Sequence, residues 1–131
     1  MPYPFVDMTY SCARIAVVED DAGVRTALQQ LLSAAAFDAL TFASAEEFLE
    51  SNCRRERVDC LIADIHLPGM NGVALLQTLA ADGDALPAVL ITARDDAATL
   101  ESIRQAGPTP HLHKPFSDEA LFDAIGRALG A

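Results

Sequence analysis

The sequence predicts a doubly wound α/β fold, a five-stranded parallel sheet with five helices shared between its two faces. Two observations carry this reading. Short strand-like runs alternate strictly with segments of helical period, and the alternation repeats five times along 131 residues. Parallel strands joined by helical crossovers connect right-handedly, which covers both faces and gives a three-layer α/β/α sandwich. A chain of this length sits near the modal size of one domain, so a single core suffices.

The elements follow in order. "RIAVV" (Arg14 to Val18) is a β-branched strand, and in "AGVRTALQQLLSAAA" after it Val24, Leu28, Leu31 and Leu32 fall at helical spacing. "DALTF" (Asp38 to Phe42) is the second strand, and "SAEEFLES" opens on Ser44 and Glu47 in a capping-box arrangement. "DCLIA" is the third strand, ending at Asp64, and the helix from Asn71 to Ala81 offers Val73, Leu75, Leu76 and Leu79 to the core. Pro87 is a stop signal before the fourth strand, Ala88 to Thr92. The fourth helix runs from Asp96 to Ala106, the fifth strand is "HLH" (His111 to His113), and Ser117 caps a fifth helix with acids in its first turn. Tyr3, Tyr10, Phe37 and Phe42 form no readable pattern.

Composition narrows the function. At 51% hydrophobic and 21% charged the chain is globular, and its formal charge of −10 repels nucleic acid and anionic lipid. Any DNA contact is expected from another domain, and no stretch approaches the ~18 apolar residues of a membrane span. The run "RRER" (Arg54 to Arg57) is broken by Glu56 and is expected to cap a helix end. Cys12, Cys53 and Cys60 are odd in number and lack C-x-x-C spacing, which suits reduced thiols in a cytoplasmic protein. Residues 1–13 lack the basic start of a targeting segment and read as a tail, with Met8 an alternative start, leaving 14–131 as the domain.

Doubly wound sheets bind ligands beyond the carboxyl ends of their strands, where strand order reverses. Those ends carry Glu19, Asp20 and Asp21 after the first strand, Asp64 after the third, Thr92 after the fourth, and Lys114 followed by Pro115 after the fifth. Two carboxylates at about 4 Å repel by roughly 4 kcal/mol at an effective dielectric of about 20, so the cluster calls for a cation. A hard divalent ion such as Mg²⁺ suits oxygen ligands and phosphate oxygens, while a lysine and a hydroxyl also hold phosphoryl groups. A carboxylate such as Asp64 is in turn a nucleophile able to form an acyl phosphate.

Taken singly, each residue has an ordinary role. Asp20, Asp21 or Ser44 alone reads as an N-cap, Thr92 as a strand-end hydroxyl, Lys114 as a solvated charge, and Pro68-Gly69 and Asn71-Gly72 as turn chemistry. Their joint occurrence points to chemistry.

"VVEDD", "LIADIHLPGMNG", "LITA" and "HLHKPF", in this order over about residues 14–131, resemble the response-regulator receiver domain of bacterial two-component signalling. The resemblance implies a flavodoxin-like sheet in the order 2-1-3-4-5, with Asp64 accepting a phosphoryl group from a sensor histidine kinase or phosphotransfer protein. It implies Mg²⁺ held by Asp20 directly, Glu19 through water, Asp64, and the backbone carbonyl of His66. Asp21 is assigned to the helix start, where an acid favours the dipole. Thr92 and Lys114 match the switch hydroxyl and the lysine, and His66 and Arg94 occupy positions that in receivers tune the lifetime of the acyl phosphate. Such a domain is a switch that catalyses its own phosphorylation and hydrolysis, not a conventional enzyme. It is also expected to form a homodimer through the fourth helix, fifth strand and fifth helix, without direct nucleic-acid or membrane contact.

One departure stands out. The rotating aromatic of the fifth strand is replaced by His111, an imidazole that titrates near neutrality, so activation is expected to respond to pH. Dimerisation of the phosphorylated form that stayed constant from about pH 5.5 to 8 would contradict this. His111 and His113 share a strand face, but nothing nearby completes a zinc or copper site. Among rivals, a flavodoxin-type electron carrier needs a hydroxyl- and glycine-rich phosphate loop where this chain has "EDDAGVR". An aspartate phosphatase needs a second aspartate where this chain has His66. A degenerate receiver that acts only as an interaction module would have no reason to keep a repulsive acidic cluster. The soft likeness of "AEEFLES" and "VALLQTLA" to receivers of transcription factors suggests a DNA-binding output outside the chain, which is expected to be a stand-alone regulator or a piece of a longer protein.

Overall fold

The computed structural model describes residues 13–51 and 57–130. Cys12, Cys53, residues 1–12 of the tail and the first three residues of the basic run lie outside the described residues, whereas Ala13, read as the end of the tail, is buried and its carbonyl accepts the Asp38 N–H at 3.0 Å. Arg57 is described, and it pairs with Asp59 at 3.1 Å.

The element order is β1 (Arg14–Val18), α1 (Ala22–Ala34), β2 (Asp38–Phe42), α2 (Ala45–Glu50), β3 (Cys60–Asp64), α3 (Gly72–Ala81), β4 (Ala88–Thr92), α4 (Ala97–Gln105), β5 (His111–His113) and α5 (Asp118–Ala128). All strand pairs are parallel, in the order β2-β1-β3-β4-β5. The helix starts are written into the side chains. Asp21, Ser44, Asn71, Asp96 and Ser117 each accept a hydrogen bond from the backbone N–H three residues on, satisfying a donor that the first turn leaves open.

Period-two alternation divides the core. Ile15, Val17, Ile62, Val89 and Ile91 face α1 and α5, where Leu28, Leu32, Leu121, Phe122 and Ile125 meet them. Ala16, Val18, Leu61, Ala63 and Leu90 face the other way onto α2 and α3, against Phe48, Val73, Leu75 and Leu79. β3 and β4 are buried at every position, as central strands covered on both faces must be. Phe37 stacks on Phe122 at 6.1 Å between ring centroids, and Phe42 meets Phe48 edge-on at 5.3 Å. Cys60 lies within this core, and burial pushes its thiol up to about 12, which keeps it protonated and unreactive. No helix among the described residues is long and apolar enough to cross a membrane.

Because β1 pairs with β2 on one side and β3 on the other, the chain reverses direction across the sheet between β1 and β3. The loop leaving β3 is drawn tightly over that point. A Cβ on Gly72 would collide with the Asp64 carbonyl oxygen and stand 3.0 Å from the Asp64 carbonyl carbon. Gly72→Ala therefore has to displace backbone that nothing flexible can yield, and a loss of about 1–3 kcal/mol in urea unfolding is expected. Unchanged stability would show that the β3–α3 loop relaxes freely.

Candidate functional site

The carboxyl rim gathers residues far apart in sequence. Glu19 follows β1 directly and is fully buried, Asp64 closes β3 with 5% of its surface exposed, and Asp20 faces solvent. One oxygen from each of these three carboxylates lies within 4.8 Å of the other two. Lys114, leaving β5 ahead of the cis Lys114–Pro115 bond, points back into the cluster. Its Nζ donates to Glu19 Oε1 at 2.5 Å and to Asp64 Oδ2 at 2.6 Å. The backbone seats it there, since the Lys114 N–H donates to the Thr92 carbonyl at 2.7 Å.

The carboxylates differ in how much bonding capacity remains. Glu19 has both oxygens engaged, because Oε2 also accepts from the Asp21 N–H at 3.1 Å. Asp64 Oδ1 accepts from the His66 N–H at 2.8 Å. The Asp20 side chain has no hydrogen-bond partner among the described residues and is the freest ligand of the three. A hard divalent ion places opposite ligand oxygens about 4.2 Å apart for Mg²⁺, so small side-chain movements bring this set onto one ion. The residues fit such a cation.

Electrostatics follow from burial. Burial raises the pKa of the Glu19 carboxyl above its ordinary value, against the hydrogen bonds from Lys114 and the Asp21 N–H, with the Asp64 charge adding to the rise. Burial opposes charge on Lys114 as well, but its hydrogen bonds to Asp64 and Glu19 prevail and hold its pKa above the usual lysine value. For an acid with a raised folded pKa, the protonated form is favoured by folding. Its contribution is present below the ordinary Glu value of 4.5 and is lost as pH rises through the raised value. Cation binding needs the carboxylate, so divalent affinity is expected to fall as pH drops toward that range, with proton release on binding. Calorimetry in buffers of different ionisation enthalpy checks this, and binding without proton release contradicts it.

Thr92 closes β4 as the sequence led one to expect, and it is buried. Its hydroxyl is turned onto its own loop, accepting from the Arg94 N–H at 3.0 Å and lying 3.3 Å from the Arg94 carbonyl. His111 and His113 are both exposed on β5, the edge strand. Asp21, assigned to the helix start, is the α1 N-cap.

Three residues to which sequence reasoning gave no role in the site belong to the rim. Arg25 Nη1 donates to the Glu19 carbonyl at 2.8 Å, a contact signalled by its place one helical turn beyond Asp21. Gly72 packs on the Asp64 peptide. Thr99 had no signal at all; it is the one buried residue of α4, and its hydroxyl lies 2.9 Å from His66 Nε2. Hydrogen bonds from Thr99 in turn hold the Asp96 carboxyl below the usual range.

Two clefts flank the cluster. A polar one of about 510 Å³ is lined by Asp20, His66, Pro68, Asn71 and Arg94. An apolar one of about 640 Å³, lined by Val24, Leu28, Leu31, Pro115 and Phe116, opens beside Lys114.

Comparison with known proteins bears on the family and the fold. The family model described as response regulator receiver domain matches residues 15–126. The DNA-binding transcriptional regulator NtrC of Klebsiella pneumoniae is 33% identical over 113 residues, which cover 86% of this chain and 24% of that protein. The transcriptional regulatory protein TdiR of Thauera aromatica is 31% identical over 121 residues, covering 92% of this chain and 53% of TdiR. The chain thus spans a quarter to a half of the length of these relatives. A solved response regulator receiver protein from Burkholderia phymatum is 38% identical with a TM-score of 0.76, over 90% of this chain and 95% of that one. The family match and the similarity in sequence and fold span most of the chain, which belongs to the response regulator receiver domain family.

Proposed function

We propose that this receiver is a phosphorylation switch in which Asp64 takes a phosphoryl group from a phosphohistidine of a sensor kinase or phosphotransfer protein. The observation that carries the reading is Lys114 Nζ seated between Glu19 and Asp64, with three carboxylates converging beside it. An Asp64 oxygen attacks phosphorus, an acyl C–O–P bond forms, and the P–N bond to the donor imidazole breaks, its electron pair staying on nitrogen. Lys114 already touches Asp64 and turns its ammonium to the arriving oxygens, while the buried Thr92 hydroxyl exchanges its loop contacts for the same group. Mg²⁺, held by Asp20, Asp64 and the His66 carbonyl with Glu19 behind them, would neutralise charge on the phosphoryl oxygens. Water then hydrolyses the acyl phosphate, so the domain turns over its own modification and is not a conventional enzyme. The apolar cleft beside Lys114 offers a helical phosphodonor a footing next to the acceptor.

The output face is read from α4. Phosphorylation alters the bonds at Asp64, and the His66 N–H on Asp64 and the His66 ring on Thr99 form a continuous route to the first turn of α4. That route stands beside the expected movement of Thr92 and His111. Leu100 is 57% exposed on α4, and the phosphorylated domain dimerises through α4, β5 and α5. By analogy with its relatives the chain controls transcription from the cytoplasm through a separate domain. The rival reading, an interaction module indifferent to phosphorylation, has no observation in its favour.

Thr99→Val removes the hydroxyl with little change of shape. A loss of about 1 kcal/mol locally is expected, read as roughly five-fold faster amide hydrogen exchange in the first turn of α4 without phosphodonor. Unchanged exchange would sever the His66 route. For the switch itself, incubation with Mg²⁺ and acetyl phosphate is expected to add one phosphoryl group by intact mass, and none with chelator. No addition, or addition regardless of chelator, would overturn the proposal.

A further inference from the structure

The Arg25 guanidinium reaches back from α1 to the acidic rim, yet among the described residues none of its hydrogen bonds goes to a carboxylate. Its Nη1 donates to two successive main-chain carbonyls, Glu19 at 2.8 Å and Asp20 at 3.4 Å. We propose that Arg25 is a positioning residue for the divalent cation, clamping the link that carries Glu19 and Asp20; this rests on reading the three carboxylates as a cation site.

The neighbours of Asp20 are fixed independently. The Glu19 N–H donates to the Phe42 carbonyl at 3.0 Å, which extends the β1–β2 ladder by one bond. Glu19 Oε1 and Oε2 hold Lys114 and the Asp21 N–H, and Asp21 Oδ1 caps α1 at the Val24 N–H. Asp20 lies between them, exposed, with a side chain that bonds to nothing described. The contact that bears on its own peptide from outside the link is Arg25. Both bonds come from one nitrogen, whose two N–H donors the planar guanidinium holds in fixed directions, as an ammonium on a flexible stem does not.

Charge and positioning make opposite demands, and this is what makes the inference testable. A cation beside a cation site repels the incoming ion, so if Arg25 acted through charge alone its removal would tighten Mg²⁺ binding. If it acts by holding Asp20 in place, removal weakens binding although a repulsive charge has gone. Groups that orient metal ligands from behind typically contribute ten-fold or more to affinity.

The test is calorimetric Mg²⁺ titration of the full chain and of Arg25→Ala and Arg25→Lys, with thermal unfolding of each metal-free protein. Arg25→Ala is expected to bind Mg²⁺ about ten-fold more weakly than the wild type, and Arg25→Lys, which keeps charge and one donor group, to fall between. Equal or tighter binding by Arg25→Ala overturns the clamp, as does lowered thermal stability with unchanged affinity, which would mark a structural role. A wild type that binds no Mg²⁺ overturns the cation reading itself, and the clamp with it, so the two failures are told apart.

Discussion

Asp64→Asn, held with Mg²⁺ and acetyl phosphate, should gain no phosphoryl mass under conditions that phosphorylate the wild type. The amide keeps the shape of the carboxylate, and its carbonyl oxygen can still accept the His66 N–H that Asp64 Oδ1 accepts at 2.8 Å. Glu19 continues to hold Lys114, so the fold survives and circular dichroism is expected to be unchanged. What disappears is the anionic oxygen that attacks phosphorus, along with one cation ligand. Phosphoryl mass on the variant equal to that on the wild type would move the acceptor elsewhere in the chain.

Lys114→Met is the second large effect, and it acts on stability as well as chemistry. Lys114 is the cation bonded to two carboxylates whose side chains are 1% and 7% exposed. Removing one member of a buried ionic set leaves uncompensated charge, which typically costs about 3–5 kcal/mol. The lower end applies here, because Glu19, already driven toward its neutral form by burial, can take up a proton. A loss of about 3 kcal/mol is expected in metal-free urea unfolding, with part of it restored by Mg²⁺, which replaces the missing cation. Phosphorylation should fall steeply too. Stability that was unchanged without metal would mean that the cluster is solvated and that Lys114 is no counter-ion.

Much of this was legible in the sequence, for identifiable reasons. Strand bounds for β1, β2, β4 and β5 are found as expected because the short runs are bounded by Pro87, Pro110 and Pro115 or by the residues that lead into the next helix cap, and all five helices start at the side chains that cap them. β3 is displaced by one residue, beginning at Cys60 and including Asp64. α1 stops at Ala34 where its pattern suggests Ala36. Ala36 takes φ of 70° and the Phe37 N–H bonds back to the Leu32 carbonyl, which swings Phe37 onto Phe122. That end is set by a distant ring and leaves no local mark.

The rim divides in the same way. Glu19, Asp20, Asp64, Thr92 and Lys114 were readable because strand ends in a doubly wound sheet converge by topology. Asn71 and Gly72 read as simple turn residues, whereas one caps α3 and the other lets α3 pack on the Asp64 peptide, a role visible in three dimensions alone. Thr99 was silent because a threonine in an exposed helix has no distinguishing period. Its importance comes from His66, 33 residues earlier.

The central claim is that these side chains form one cation and phosphoryl site, and a crystal structure grown with Mg²⁺ and beryllofluoride, a phosphoryl mimic, tests it most directly. The account expects the mimic on Asp64, the ion in contact with Asp20 and Asp64, and Lys114 Nζ and the Thr92 hydroxyl turned onto the mimic. An ion or mimic bound away from Asp64, with Lys114 still between Glu19 and Asp64, would contradict it.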